Sequence, residues 1–335
     1  MNEGRRVQGH FARQCDRNKP MPPSKLAQDL EWMLLSPSLV SESCFPLVPD
    51  ESLQELFARN RKWFADLEAD TAGLRDRLEN AARSYKLGIY AEALLEHALR
   101  SLPEIEVIVS HLPVYEGKIA RGEFDFILKN SLSGKTEHWE LAVKYFLLRE
   151  RDLTKLPNVV PADFVGPNGR DSLGNKLKKM MDRQLCLGQT PEGATALAGL
   201  GLESVQPLLL SRGILFYDWR WPRPIARPSF AGPISNEGWW CTFSEVREML
   251  GGTQARRFAW LRRPQWLAPF DASSASAMLF DQETLLDFLD DHFRASPGAV
   301  MLAEIAPGPD GVLRECGRGF VVHDQWPEPV DAHGA

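Results

Sequence analysis

Disulfides, membrane spans and broad positive charge are all missing from this sequence. Its five cysteines, Cys15, Cys44, Cys186, Cys241 and Cys316, are odd in number, scattered and free of any CxxC pair. That excludes a disulfide framework and a cysteine-based zinc site, and fits a reducing compartment. No apolar run approaches the roughly 18 residues that span a bilayer, and none follows the N-terminal arginines as in a secretory signal. A cytoplasmic protein with no membrane partner is expected. Net charge is −6, yet residues 1–25 hold six Lys or Arg against Glu3 and Asp16, which leaves −10 for the remainder. An acidic body of that kind does not coat duplex DNA, so contact with nucleic acid must be local.

Several catalytic signatures are also missing. There is no GxGxxG, GxSxG or HExxH, and the histidines at 10, 97, 111, 292, 323 and 333 form no metal spacing. The stretch GRDSLGNK at 169–176 nearly spells a phosphate-cradling loop, but Asn175 stands where the lysine must be and Lys176 where the hydroxyl must be.

What is present reads in four parts. Residues 1–25 are polar, basic and proline-closed, a disordered arm. Residues 26–85 read as helical, from LAQDLEWMLLSP and SLQELFARNRKWFADLEAD. Residues 86–218 give a helix with Leu87, Ala91, Leu94, Leu95 and Ala98 along one side, then three strands, EIEVIVSHLPVY, GEFDFILK and HWELAVKYFLL. The turn-rich NSLSGKTE makes the last two an antiparallel hairpin. A helix follows in DSLGNKLKKMMDRQLCL, opened by Asp171 or Ser172 as N-cap, and PLLLSRGILFY is a further strand. Residues 219–335 open on an irregular Pro-rich stretch and continue as a smaller α+β unit, with helices in TFSEVREML and DQETLLDFLDDHF and strands in RRFAWL, AVMLAEIA and GRGFVVH.

The strand HWELAVKYFLL carries the chemistry. Alternation puts His138, Glu140, Ala142 and Lys144 on one face, two charges in an otherwise apolar strand. In GEFDFILK the same rule sets Glu123, Asp125 and Ile127 on one face and Phe124, Phe126 and Leu128 on the other, so the hairpin brings Asp125 toward Glu140 and Lys144. Two readings stand: a partly solvated cross-strand charge ladder worth ~0.2–1 kcal/mol per pair, or a Mg²⁺ (or Mn²⁺) site. In the latter Asp125 and Glu140 supply oxygen ligands and Lys144 supports the attacking water and the developing charge of phosphodiester hydrolysis. His138 is either an outer-shell group or a half-exposed strand-end residue.

The order helix glutamate, strand aspartate, strand acid with lysine, helix is similar to the PD-(D/E)XK nuclease superfamily. Over roughly 86–218 the resemblance implies a restriction-endonuclease-like α/β core, a mixed central sheet flanked by helices. More narrowly the whole chain resembles the bacterial family called domain of unknown function 1853, through DLEWMLLSP, ELAVKYFL, FVGPNGRDSLGNKLKKMMDRQLCL and GRGFVVHDQWP. The superfamily resemblance implies Glu92 as the helix glutamate, Asp125 and Glu140 as metal ligands, Lys144 as the catalytic lysine and Gln184 as the polar residue of the following helix. One departure is plain. The superfamily acid lies two residues before the lysine, and here that position is Ala142, so Glu140 must reach from about 7 Å away at ~3.4 Å per residue. The proline of the superfamily motif is also absent from EFD.

Two basic stretches bear on a nucleic-acid partner. Residues 149–183 hold eight Lys or Arg against five acids, and Lys176, Lys179 and Arg183 lie near one side of their helix, either guiding a phosphate backbone or forming a solvated face. YDWRWPRPIARP interleaves Trp219 and Trp221 with Arg220, Arg223 and Arg227, either to stack unpaired bases or to anchor a loop at a domain interface. A catalytically silent module of the same fold, binding nucleic acid or protein, is the alternative to a nuclease.

Overall fold

The computed structural model describes residues 23–69, 86–232, 237–251, 256–272 and 278–328. Of the expected arm, 1–22 lie outside the described residues, and 23–25 already belong to the first helix. Residues 70–85 of the expected helical region also lie outside them.

Four helices come first: α1 (Pro23–Leu35), α2 (Asp50–Arg59), α3 (Arg61–Ala69) and α4 (Leu87–Ser101). The apolar periodicity continuous through SLQELFARNRKWFADL is broken at Asn60, whose side chain donates to Leu56 O (2.9 Å) and to Glu104 Oε2 (2.8 Å). Such amide bonding competes with the helical ladder and stops α2. The stripe on α4 is as its spacing dictates: Ala91, Leu94, Leu95 and Ala98 are fully buried, joined by Tyr90 and Leu99.

Strands β1 (Ile105–Glu116), β2 (Ile119–Asn130) and β3 (Lys135–Leu148) follow, then the two-residue β4 (Phe164–Val165), helix α5 (Leu173–Lys179), helix α6 (Pro191–Gly199) and strand β5 (Gln206–Asp218). The remaining elements are β6 (Glu237–Thr242), α7 (Val246–Gly251), β7 (Arg257–Leu261), α8 (Gln282–Ala295), β8 (Val300–Pro307) and β9 (Leu313–Val322). The fold is mixed α/β: the strands form one nine-stranded sheet in the order β1-β2-β3-β5-β6-β9-β8-β7, with β4 paired to β3. The strands of 219–335 therefore continue the central sheet. Strand β6, EGWWCT, has no hairpin partner to announce it; it is held by parallel pairing to β5 and β9.

β3 pairs antiparallel with β2 and parallel with β5. Helices cover both faces: Leu208 and Leu210 of β5 pack with α1 to α4, whereas Leu209 packs with α5 through Leu173 and Leu177. Within β5, Gly213 sits beside Lys144 with φ +144°, and a Cβ there would lie 1.8 Å from Lys144 O, so only glycine lets the two backbones approach. Next to it, Arg212 is fully buried and donates to Met33 O (2.7 Å), Leu34 O (3.2 Å), Ser38 Oγ (3.1 Å) and Asp50 Oδ1 (3.0 Å). One guanidinium thus caps the last carbonyls of α1 and ties the N-terminal helices to the sheet.

Candidate functional site

The β2–β3 hairpin forms in the register that its turn predicts, but its pairing runs only from Asn130↔Lys135 to Phe126↔Trp139. Beyond this the strands part. At the parting, Asp125 Oδ2 accepts the Leu141 N–H (2.9 Å), a side-chain oxygen standing where a ladder carbonyl would be. Strict alternation along GEFDFILK fails for the same reason. Phe124 packs with Ile127 under α6, away from Phe126 and Leu128, which face the α1–α4 core.

Helix α5 is capped by Ser172, whose hydroxyl accepts from Asn175 N (3.2 Å). The chain then widens into one π turn, Met180–Gln184, and Gln184 extends the inward stripe of Leu173, Leu177 and Met180 to donate to Glu140 Oε1. Glu140 itself is 1 % exposed, and its second oxygen, Oε2, has no hydrogen-bond partner. The contrast along the strand is sharp. Glu137, equally buried, is satisfied by Trp139 Nε1 (2.7 Å), Ser133 Oγ (2.6 Å) and Asn130 Nδ2 (3.2 Å). Glu137 is part of the scaffold; among the described residues Glu140 has beyond Gln184 only the carboxyl group of Asp125 as hydrogen-bonding neighbour, and its Oε2 lacks a nitrogen or hydroxyl donor.

Three carboxyl groups share one electrostatic neighbourhood. Burial, reinforced by Glu92, pushes Glu140 up to about 8; burial, reinforced by Glu140, pushes Asp125 up to about 7; burial, reinforced by Asp125, pushes Glu92 up to about 7. Burial and then Lys176 hold the Lys144 ammonium below its ordinary value, against the pull of Asp171, Glu92 and Asp125. His138 is 1 % exposed, pushed down to about 4 by burial and therefore neutral; its Nε2 lies 3.4 Å from Glu140 Oε2 and has no hydrogen-bond partner. Ala142, where the superfamily acid would stand, is 2 % exposed and packed among Phe146, Leu209 and Leu177.

The structure therefore gathers Glu92, Asp125, Glu140, Lys144 and Gln184, with Lys176 at the margin, bound to Asp171 (2.7 Å). Lys179 and Arg183 are exposed on the outer side of the same turn. Of the aromatic-arginine stretch, Arg220 binds Asp218, Arg223 binds Glu237 and Gly238 O, and Arg227 binds Gly232 O, while Trp221 is buried and donates to Arg151 O. These arginines hold a loop in place. Sequence reasoning missed His111. It is the one described non-glycine residue with a positive φ, +53°, it meets Glu123 Oε1 at 3.2 Å, and its charge bears on Glu92 and Asp125. Nothing in its sequence context marks that backbone.

A stability consequence follows from the carboxyl group shifts. In the unfolded chain these groups ionise near 4 to 4.5, whereas the folded protein holds their protons to about 7 or 8. Stabilisation by proton retention is complete below the unfolded values and lost as pH rises through the folded ones. In metal-free buffer, urea midpoints should fall as pH rises between about pH 5 and pH 8.5, with the Asp125–Glu140 pair as the main cause. Glu140→Gln should flatten that slope, and an unchanged slope would refute the shared-proton picture.

Among the described residues no three His, Cys, Asp or Glu side chains converge closely enough to make a metal cage by themselves. A hard cation such as Mg²⁺ is nonetheless ordinarily held by one or two carboxylates with waters and substrate oxygens completing its shell. The unpartnered Glu140 Oε2 beside a crowded carboxyl neighbour fits that mode.

The fold and the site together define a mixed α/β protein with an acid–lysine cluster on its central strand. The profile of domain of unknown function 1853 (DUF1853) matches residues 28–322, and the chain belongs to that family. No curated protein and no solved structure matches the chain.

Proposed function

We propose that the protein is a divalent-metal-dependent phosphodiesterase acting on nucleic acid, with a restriction-endonuclease-like core of the PD-(D/E)XK nuclease class over residues 86–218. The observation that carries this reading is Glu140, a buried carboxyl group with one oxygen unpartnered, set against Asp125, which in turn lies within the field of Lys144. Asp125 and Glu140 would hold Mg²⁺ or Mn²⁺, which supplies Lewis-acid polarisation of a phosphoryl oxygen and a more acidic water. Gln184 fixes Glu140 by occupying its other oxygen. Lys144, poised in a low-dielectric site, neutralises charge that develops on a non-bridging oxygen. Glu92, holding its proton to about 7, exchanges a proton with water near neutral pH. Lys176, Lys179 and Arg183 offer phosphate contacts on the approach.

The buried Ala142 favours a second reading, a catalytically silent nucleic-acid or protein binding module. The two are separated by calorimetric titration of Mg²⁺ and Mn²⁺ into wild type and Asp125→Asn/Glu140→Gln, with plasmid, single-stranded DNA and RNA cleavage assayed alongside. Binding and cleavage in wild type, both lost in the double variant, are expected. Metal binding without cleavage of any substrate would leave the silent module; no binding even with nucleic acid present would make the cluster structural.

A further inference from the structure

Two atoms in this site are buried, polar and without hydrogen-bond partners, and they face each other: Glu140 Oε2 and His138 Nε2, 3.4 Å apart. Both side chains are 1 % exposed, so water does not satisfy them from bulk. They stand two residues apart on one face of β3. The imidazole of His138 and its backbone are both held in place. Phe124 meets its ring edge-on with centroids 4.8 Å apart, its backbone is paired to Ile127 on β2, and it is paired to Pro207 on β5. A strand-end histidine in passive packing would turn its nitrogen to a carbonyl or hydroxyl. This one points it at a carboxylate oxygen that is itself unpartnered.

Their separation has a chemical meaning. Nitrogen and oxygen ligands sit at about 2.0–2.2 Å from a divalent transition metal, so two donors subtending roughly 90–110° at one ion lie about 3.0–3.4 Å apart. A hydrogen bond between the same atoms would be closer to ~2.9 Å. We propose that His138 is a direct ligand of the cation through Nε2, paired with Glu140 Oε2, and that the centre therefore takes a first-row transition metal such as Mn²⁺ in preference to Mg²⁺. The inference rests on the proposed metal-dependent reading and deepens it: an all-oxygen site suits Mg²⁺, whereas an imidazole donor shifts affinity toward the transition series. Asp125, already bonded to Leu141 N through Oδ2, would contribute through an intervening water.

The test uses the full chain and Mn²⁺ alone as probe, read by electron spin-echo envelope modulation. Wild type should show ¹⁴N modulation from a bound imidazole, changing to the ¹⁵N pattern when the protein is made with ring-labelled histidine, a result that needs no mutant to fold. His138→Gln should lose the modulation, and the Mn²⁺-to-Mg²⁺ affinity ratio, measured by calorimetry, should fall by about tenfold or more. His111→Gln, a change at an exposed neighbour, should keep the modulation. Bound Mn²⁺ with no nitrogen modulation, or modulation lost in His111→Gln, would overturn the His138 assignment while leaving the metal-dependent reading standing. Failure to bind Mn²⁺ alone would overturn the His138 assignment, and failure with nucleic acid present as well would overturn the metal-dependent reading too.

Discussion

On the proposed phosphodiesterase reading, Lys144→Met should reduce metal-dependent cleavage by roughly 10²–10³-fold, the usual cost of removing one preorganised donor from a developing oxyanion. The same change should leave metal affinity unaltered or slightly tighter, because an ammonium beside a cation site repels the cation. Loss of turnover with retained binding is the signature of a group that acts in the transition state. Lys144→Arg should not restore the rate. Lys144 lies in the field of Lys176 on a strand whose Ala142 is packed in an apolar layer, and a planar guanidinium cannot take the place of a compact ammonium there. Single-turnover cleavage of a short labelled duplex, paired with calorimetry, measures both quantities; equal loss of rate and metal binding would instead make Lys144 a scaffold residue.

Arg212→Met should cost about 3–5 kcal/mol, the range found when one partner of a buried ion pair is removed. The guanidinium has no exposure, and its loss strands Met33 O and Leu34 O at the end of α1 and leaves Asp50 Oδ1 with the Ser38 hydroxyl but no cation. Asp50→Asn should cost only about 1–2 kcal/mol, since Arg212 keeps its carbonyl partners and Asp50 is partly solvated. With total stabilities of about 5–15 kcal/mol, the arginine variant would leave little margin. Urea unfolding followed by far-ultraviolet circular dichroism gives both values. A loss under about 1 kcal/mol for Arg212→Met would show that the helices are held by their apolar stripes alone.

Much of this was legible because it is local. The α4 stripe, the β2–β3 turn and the shared face of Glu140 and Lys144 follow from periods of 3.6 and 2, which need no knowledge of partners. The side of the sheet taken by Phe124 was not legible, since it depends on where β2 leaves β3, a decision made by Asp125 capturing the Leu141 amide. β6 was hidden because its pairing is wholly to distant strands. The two helices read as one were divided by a single amide, Asn60, reaching Glu104 across the fold. At the site, residue types and spacing pointed to Asp125, Glu140 and Lys144, but the bareness of Glu140 against the full satisfaction of Glu137 exists only in three dimensions. Ala142 was read from the outset as a departure, and its packing explains it: that position belongs to the apolar layer under α5.

Gly213 sets the mechanical character of the whole site. Its bare α-carbon lets β5 press against the carbonyl of Lys144, clamping that residue into the long β3–β5 seam, where Val143 and Tyr145 are paired as well. Asp125 stands on the other bank, where β2 has already let go of β3. The site is thus braced by continuous strand pairing at the lysine and by a single side-chain bond at the aspartate. A bulky ligand entering between the strands displaces the aspartate wall first, so differences in what relatives of this protein accept should be written in β2, and residue 213 should tolerate no side chain.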